Sequence, residues 1–137
     1  SWYLTKLMHR FPEDGAFAHV EDGIAGSWVA NEAAREGHGM DARGVFEAAG
    51  RGEAWVVAIL SRQAHRTSRL LANIQLAIAP DVIVVGGGIG LADGYLARLE
   101  AALASTPPVR RPRLVAAALG TRAGLVGAAD IAKQDAV

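Results

Sequence analysis

A chain of 137 residues, 51% of them hydrophobic, can bury one core and fits one domain or one lobe of a larger protein. Its 14 basic and 14 acidic residues cancel, which argues against a dominant surface for nucleic acid or for an anionic membrane. The chain has no cysteine, which excludes disulfides and thiolate metal sites, and no apolar run reaches the roughly 18 residues of a membrane span. Because Ser1–Phe11 is a poor signal peptide, we expect a cytoplasmic protein.

The first half of the chain is predicted to be helical after an N-terminal segment, residues 1–18, whose packing the pattern leaves open. The predicted helices are Glu21–Glu36, Ala42–Ala49 with Asp41 as N-cap, and the long helix Glu53–Ala79. The long helix is expected to bury one stripe of apolar residues at helical spacing, namely Val57, Leu60, Ala64, Leu71, Ile74 and Ile78. Arg62, Arg66 and Arg69 lie largely away from that stripe, which favours a solvated face over an anion-binding row.

The most informative stretch is Ala79–Gly94. Val82–Val85 is predicted to be a buried strand, followed by the glycines Gly86–Gly88 and Gly90 and by a helix that begins near Leu91. Glycines between a strand and a helix allow a ligand to approach the backbone closely, and the helix N-terminus favours an anion. The spacing matches neither the dinucleotide fingerprint nor a Gly-Lys-Ser/Thr phosphate loop. A tight turn without a ligand is therefore the alternative interpretation.

The remaining chain is predicted to alternate helix and strand. The predicted elements are a helix Ala92–Ser105, an exposed connection Thr106–Pro112, a strand Arg113–Leu119 covered on both faces, a turn Gly120–Arg122 and a helix Ala123–Lys133. Two strands do not make a stable sheet. Either the first twenty residues supply more strands or the chain is one lobe of a larger α/β fold, and we favour the lobe.

The residues alone identify no catalytic base. The four histidines His9, His19, His38 and His65 show no familiar metal-binding spacing. Glu21 is followed by a second carboxylate, but adjacent residues of a helix do not face each other. Carboxylates also occur at helix N-termini because of the helix dipole. The residues therefore predict an α/β lobe that contacts a phosphate or a nucleotide.

Two motifs together resemble a known family. Ala79–Gly90 and the later segment Ala-Leu-Gly-Thr-Arg-Ala-Gly-Leu-Val-Gly-Ala-Ala (Ala118–Ala129) are similar to the C-terminal half of ROK-family sugar kinases and regulators, with the greater likeness to bacterial N-acetylmannosamine kinases. The resemblance extends from about His19 to Ala132. It implies that residues 19–137 form the C-terminal lobe of an actin-like sugar-kinase (ribonuclease H-like) fold, helix-rich with a small sheet.

The resemblance also implies site residues. In the family the glycine segment borders ATP in a cleft between two lobes, which implies contacts from Gly86, Gly87 and Gly88, with Gly124 nearby. ATP and Mg²⁺ would then be bound in the complete enzyme. His-Val-Glu at His19–Glu21 stands where the family has a glutamate that contacts the sugar hydroxyls, so Glu21 is the candidate substrate-binding residue.

The chain departs from the family pattern in three ways. Pro12, Asp14 and His19 stand at the positions of the family's zinc-binding cysteines, so no zinc is predicted. The N-terminal Asp-x-Gly phosphate motif is missing, and so is the Asn-Asp segment whose aspartate acts as general base. Phosphoryl transfer depends on positioning and charge neutralisation. We therefore assign no catalytic residue to this chain and expect it not to catalyse the reaction alone.

The function implied by the resemblance is ATP-dependent phosphorylation of an N-acetylhexosamine such as N-acetylmannosamine. One alternative is a sugar-sensing ROK regulator or an inactive paralogue that binds sugar without phosphorylating it. Another is an assembly module whose glycines are purely structural. An isolated lobe would expose an apolar interlobe surface, so we expect a partner, either the missing N-terminal lobe or a second copy, and no nucleic acid or membrane.

Overall fold

A computed structural model of the chain describes residues 24–122 and Lys133. Three helices come first in the described range, and two short strands follow, each with helical turns after it. The elements are α1 Gly26–Arg35, α2 Ala42–Gly50, α3 Ala54–Ile78, β1 Ile83–Val85, α4 Gly87–Gly90, α5 Tyr95–Leu103 and β2 Leu114–Ala116, with 3₁₀ turns at Pro108–Arg110 and Gly120–Arg122. The predicted last helix lies outside the described residues apart from Lys133, which is helical.

Local sequence signals set the ends of the first helices. Gly37 has a φ of 85°, a left-handed conformation that favours glycine, and its N–H donates to the carbonyl of Ala34 as α1 ends. Asp41 is the N-cap of α2, as predicted, and its carboxylate accepts a hydrogen bond of 2.9 Å from the N–H of Gly44. Ala79 ends α3 with a φ of 41° immediately before Pro80, which cannot continue the helix.

Helix α3 passes through two cores rather than one. Its first half packs against α1 and α2, and its second half packs against α5 and β2. The buried residues of the first core are Val29, Ala33, Val45, Ala48, Val56, Ile59 and Leu60, and those of the second are Ala64, Leu71, Tyr95, Leu99, Leu103 and Leu114. These contacts hold the helical layer to the sheet.

The predicted single stripe on α3 is partly wrong. Leu60, Ala64 and Leu71 are buried as expected, but Val57 is 39% exposed and Ile78 is 67% exposed. The packing partners change along the helix, so the buried face rotates and a single stripe cannot describe it. Although α3 is 25 residues long, no helix in the range 24–122 combines the length and the hydropathy that a bilayer crossing requires.

The two strands pair in parallel, with Ile83 opposite Leu114 and Val85 opposite Ala116. Two burial predictions are wrong. Val82–Val85 is predicted to be buried, but Val84 is 59% exposed, and Arg113–Leu119 is predicted to be covered on both faces, but Leu119 is 54% exposed. Within the part of the chain that the structure describes, only one face of this pair carries a helical layer. Parallel sheets are normally covered on both faces. The open face therefore marks a surface that another layer would cover.

The connection between α5 and β2 is largely exposed, as predicted, although Pro112 at its end is buried. Val109 within it is 76% exposed. The Arg111 guanidinium folds back and donates hydrogen bonds of 2.9 and 2.8 Å to the carbonyls of Ala104 and Thr106. These bonds satisfy backbone acceptors at the end of α5, which lack partners within the helix.

Candidate functional site

The glycine segment follows β1 directly and forms the first part of the site. Gly86 is extended, Gly87 takes a φ of 80°, and the chain then makes a single helical turn, α4. The predicted order of strand, glycines and helix is confirmed. The helix does not begin near Leu91, however, because the glycines themselves form α4 and the next helix, α5, begins only at Tyr95 after Gly94 at a φ of 75°.

The fold itself favours glycine at three of these positions. Gly87 needs its positive φ. A Cβ on Gly90 would lie 3.0 Å from Cγ1 and 3.4 Å from the carbonyl carbon of Val85, so a side chain there would separate α4 from β1. A Cβ on Gly86 would lie 3.2 Å from the Cβ of Ala117, beside the end of β2. Internal packing and backbone conformation therefore explain these three positions.

Gly88 is different from its neighbours. Its φ is not positive, and a Cβ placed on it would meet no atom within 4 Å among the described residues. The protein's own packing and backbone conformation thus do not require glycine at this position. The backbone of Gly88 faces open space, which is what close approach of a ligand to the main chain requires.

The open space belongs to a cavity of about 590 Å³ between α2 and the segment from α4 to α5. This volume lies in the range of small-molecule sites, about 300–1,000 Å³. Its wall combines apolar residues with two arginines and two carboxylates, namely Gly88, Ala42, Ala49, Gly50, Phe46, Ile89, Leu91 and Ala92 with Arg43, Glu47, Asp93 and Arg98. A flat apolar group and an anionic group can therefore both find partners in this cavity.

The start of α1 lies against the glycine turn. A Cβ on Gly26 would be 3.2 Å from Cδ1 of Ile89 and 3.3 Å from the Cβ of Ala42, so α1 approaches both α4 and α2 at van der Waals distance. The structure thus brings the glycine segment close to the part of the chain that follows Glu21. Glu21 itself lies outside the described residues, as do His19 and Gly124.

Two side chains of α3 hold the beginning of α1. Nε2 of Gln63 donates a 2.8 Å hydrogen bond to the carbonyl of Ile24, and the guanidinium of Arg66 lies 4.8 Å from the ring centroid of Trp28. The interpretation of the arginines as a solvated row is wrong for Arg66, which is only 7% exposed. It holds for Arg62, whose exposed guanidinium lies 3.3 Å from the carboxylate of Glu32 on α1 and 3.2 Å from that of Glu36, which follows α1.

Aromatic packing and hydrogen bonds surround the start of α3. His38 stacks on Trp55 with ring centroids 3.8 Å apart. The Glu53 carboxylate accepts hydrogen bonds of 2.9 Å each from the Trp55 indole N–H and from Arg51, and these two bonds hold the pKa of Glu53 below its ordinary value. Within residues 24–122, no three histidine, aspartate or glutamate side chains cluster as metal ligands would.

The sequence predicts the part of the cavity wall that the glycine segment forms, but not the part that α2 and α5 form. Arg43 and Phe46 on α2 and Arg98 on α5 were not singled out. Arg43 and Glu47 are spaced four residues apart on the exposed side of α2, opposite the buried Val45, which is also the pattern of any amphipathic helix. That signal could not distinguish a cavity wall from a solvated face.

Comparisons with known proteins agree with this architecture. The model of the ROK family matches residues 15–135. The chain is 44% identical over 116 residues to the bifunctional enzyme NanE/NanK of Brucella melitensis and 40% identical over 114 residues to the N-acetylmannosamine kinase of Escherichia coli O157:H7. A crystal structure described as a ROK family protein from Streptococcus pneumoniae TIGR4 in complex with sucrose superposes with a TM-score of 0.76 at 21% identity, over 89% of this chain.

These matches cover most of this chain and a smaller part of each relative. The alignments include 85% of this chain but 22% of the Brucella enzyme, and 83% of this chain but 39% of the Escherichia coli kinase. The superposition covers 45% of the Streptococcus pneumoniae chain. The likeness to that structure confirms the fold class, a partial sugar-kinase α/β fold with many helices and a small parallel sheet.

Proposed function

The chain belongs to the ROK family, and we propose that residues 19–137 form the C-terminal lobe of an ATP-dependent kinase that phosphorylates an N-acetylhexosamine, with N-acetylmannosamine as the first candidate. The names of the similar proteins support this substrate, since they include N-acetylmannosamine kinases at 40% identity. They favour a kinase over the sugar-sensing regulator. We propose that the active site of the complete kinase lies between two lobes and that this lobe supplies one wall of it.

The observation that carries the proposal is the open backbone at Gly88. It lies on the wall of the 590 Å³ cavity, directly after the strand and the tight turn at Gly87. We propose that ATP binds there, with its phosphates near Gly86, Gly87 and Gly88 and with Gly124 nearby. Phe46 and Ile89 offer apolar surface to the base, and Arg43 and Arg98 offer positive charge to the anionic part of the nucleotide.

The sugar is proposed to bind beside the nucleotide, through Glu21. A carboxylate accepts hydrogen bonds from sugar hydroxyls and so fixes the orientation of the ring. The contact of Gly26 with Ile89 places the start of α1 against the glycine turn. This contact supports a sugar site close to the nucleotide site, as transfer of a phosphoryl group requires.

The general base and the second phosphate-binding wall are proposed to come from a missing lobe. Mg²⁺ would enter with ATP and neutralise charge on the transferred phosphoryl group. This lobe's residues bind and orient the two substrates. Its open sheet face, with Val84 59% exposed, is proposed to be covered by that lobe or by a second copy of the chain. The absence of zinc and a cytoplasmic location stay predictions from the sequence.

The direct test measures ADP release by the full-length protein with ATP–Mg²⁺ and a panel of N-acetylhexosamines. We expect turnover with N-acetylmannosamine, and we expect Glu21→Gln to weaken sugar binding more than nucleotide binding. The 137-residue chain alone is expected to show no turnover. Failure of the full-length protein to release ADP with any N-acetylhexosamine would refute the kinase proposal.

A further inference from the structure

The two walls of the cavity belong to different cores. Helix α2 buries Val45 and Ala48 in the first core, whereas α5 buries Leu99 and Leu103 in the second. The cavity lies between α2 and the segment from α4 to α5. The arrangement of its wall therefore depends on side chains that join one core to the other.

Phe46 on α2 is such a side chain. It is half-buried, it packs against both cores, and it lines the cavity. Its ring stands nearly perpendicular to that of Tyr95 on α5, with an interplanar angle of 82° and ring centroids 6.0 Å apart. Perpendicular aromatic pairs are favourable at centroid separations of about 4.5–7 Å. This contact joins the two walls of the cavity.

Tyr95 is held on its other side by α3. The residue is 3% exposed, and its hydroxyl donates a hydrogen bond of 3.3 Å to Oγ1 of Thr67. A buried hydroxyl without a partner would destabilise the fold, and the bond to Thr67 avoids that effect. The ring of Tyr95 is thus held between Thr67 on α3 and Phe46 on α2. The orientation of the Phe46 ring is therefore restricted before any ligand enters the cavity.

On the basis of the proposed kinase function, we infer that Tyr95 is a positioning residue for the nucleotide and acts through Phe46. Phe46 is the one aromatic ring that the described residues contribute to the cavity wall, and nucleobases stack on aromatic rings. A ring that is already held loses little conformational freedom when the base binds, which favours affinity. Tyr95 does not itself line the cavity, so its replacement changes nucleotide affinity only through Phe46.

The test compares three variants of the full-length protein by isothermal titration with ATP–Mg²⁺. Tyr95→Leu removes the ring that holds Phe46, and we expect the Kd for ATP to rise about twofold to tenfold. Tyr95→Phe keeps the ring and should retain the affinity of the parent protein. Leu103→Val thins the same core at a residue that is 1% exposed and does not line the cavity, so it should lower stability without changing affinity. An unchanged Kd in Tyr95→Leu, or an equal loss in Leu103→Val, would overturn the inference.

A double-mutant cycle separates positioning from a general loss of packing. In a Phe46→Leu background the ring that Tyr95 is inferred to position is absent, so Tyr95→Leu should cause no further loss of ATP affinity. Residues that act through one contact are non-additive in this way. The same fold-change in both backgrounds would contradict the role of Phe46.

Fluorine NMR supplies a readout that needs no nucleotide. In full-length protein labelled with 4-fluorophenylalanine, the Phe46→Leu variant identifies the signal of Phe46. Tyr95→Leu should shift and narrow this signal because the ring gains freedom of motion, and Leu103→Val should leave it unchanged. An unchanged Phe46 signal in Tyr95→Leu would refute the inference alone. A parent protein that binds no ATP would refute the proposed function and the inference with it.

Discussion

Replacing Gly88 by alanine, with Gly90→Ala as the comparison, tests whether the glycine segment binds a ligand or only makes a turn. A Cβ placed on Gly88 would have no heavy atom of the described residues within 4 Å, and the φ of Gly88 is not positive. Alanine at such a position stabilises a protein by about 0.4–1 kcal/mol, because it restricts the unfolded chain. We therefore expect Gly88→Ala to fold normally, with a melting temperature raised by up to a few degrees.

Nucleotide binding should respond in the opposite direction. The added methyl group would enter the cavity where the ligand is proposed to contact the backbone. Overfilling a close contact costs about 1–3 kcal/mol. That cost corresponds to a loss of about 5- to 150-fold in affinity. Isothermal titration of the full-length protein with ATP–Mg²⁺ measures it, and thermal denaturation of the same samples measures stability.

Gly90→Ala, in contrast, should lower the stability of the protein. Its Cβ would lie 3.0 Å from Cγ1 of Val85 and 3.4 Å from the backbone carbonyl carbon of the same residue, so α4 or β1 has to shift. We expect a packing cost of about 1–3 kcal/mol, offset in part by the gain of about 1 kcal/mol from replacing a helical glycine, so that the net effect is a loss of up to about 2 kcal/mol. If Gly88→Ala binds nucleotide as well as the parent protein while its stability rises, the glycines form only a structural turn and the ATP site is elsewhere.

Three further predictions concern stability and assembly. Leu99→Ala, at a position that is 0% exposed, should cost about 2–5 kcal/mol in urea denaturation, and a loss below about 1 kcal/mol would contradict the second core. Glu53 has a lowered pKa because of its hydrogen bonds to Trp55 and Arg51, so it stabilises the protein above its ordinary pKa of 4.5 and loses that effect as the pH falls through the lowered value. The melting temperature of Glu53→Gln should therefore lie below that of the parent protein at neutral pH, and the two values should converge in acid. A difference that does not change with pH would refute this linkage. Val84→Lys should reduce self-association of the 137-residue chain in light scattering, since Val84 is 59% exposed on the open sheet face, and a parent chain that is monomeric at high concentration would contradict this.

Local chemistry made much of the fold predictable. A β-branched run between Pro80 and the glycines predicted β1, and Asp41 predicted the start of α2 at the observed residue. The helical spacing of apolar residues after Gly52 predicted the first and last residues of α3 to within one position. Such signals work because caps, turns and helical periods depend on residues within one or two turns of each other.

Burial was less predictable, because it depends on which elements meet. Val57 and Ile78 match the helical period of α3 but stay exposed, while Arg66 is buried against Trp28. Val84 belongs to an apolar run, and its side of the sheet is nevertheless open. In each case the observed burial is opposite to the usual preference of the residue type, because the neighbouring layer decides which side chains are covered.

By itself the sequence determined the order of strand, glycines and helix, the family resemblance, and the choice of Gly86–Gly88 and Glu21 as site candidates. Only the tertiary structure distinguished Gly88, whose backbone faces a cavity, from Gly87 and Gly90, which the turn and the packing require. It alone placed α2 opposite the glycines and Gln63 beneath the start of α1. The physical reason is that backbone conformation follows from neighbours in sequence, whereas a cavity and a hydrogen bond across 39 residues follow from neighbours in space.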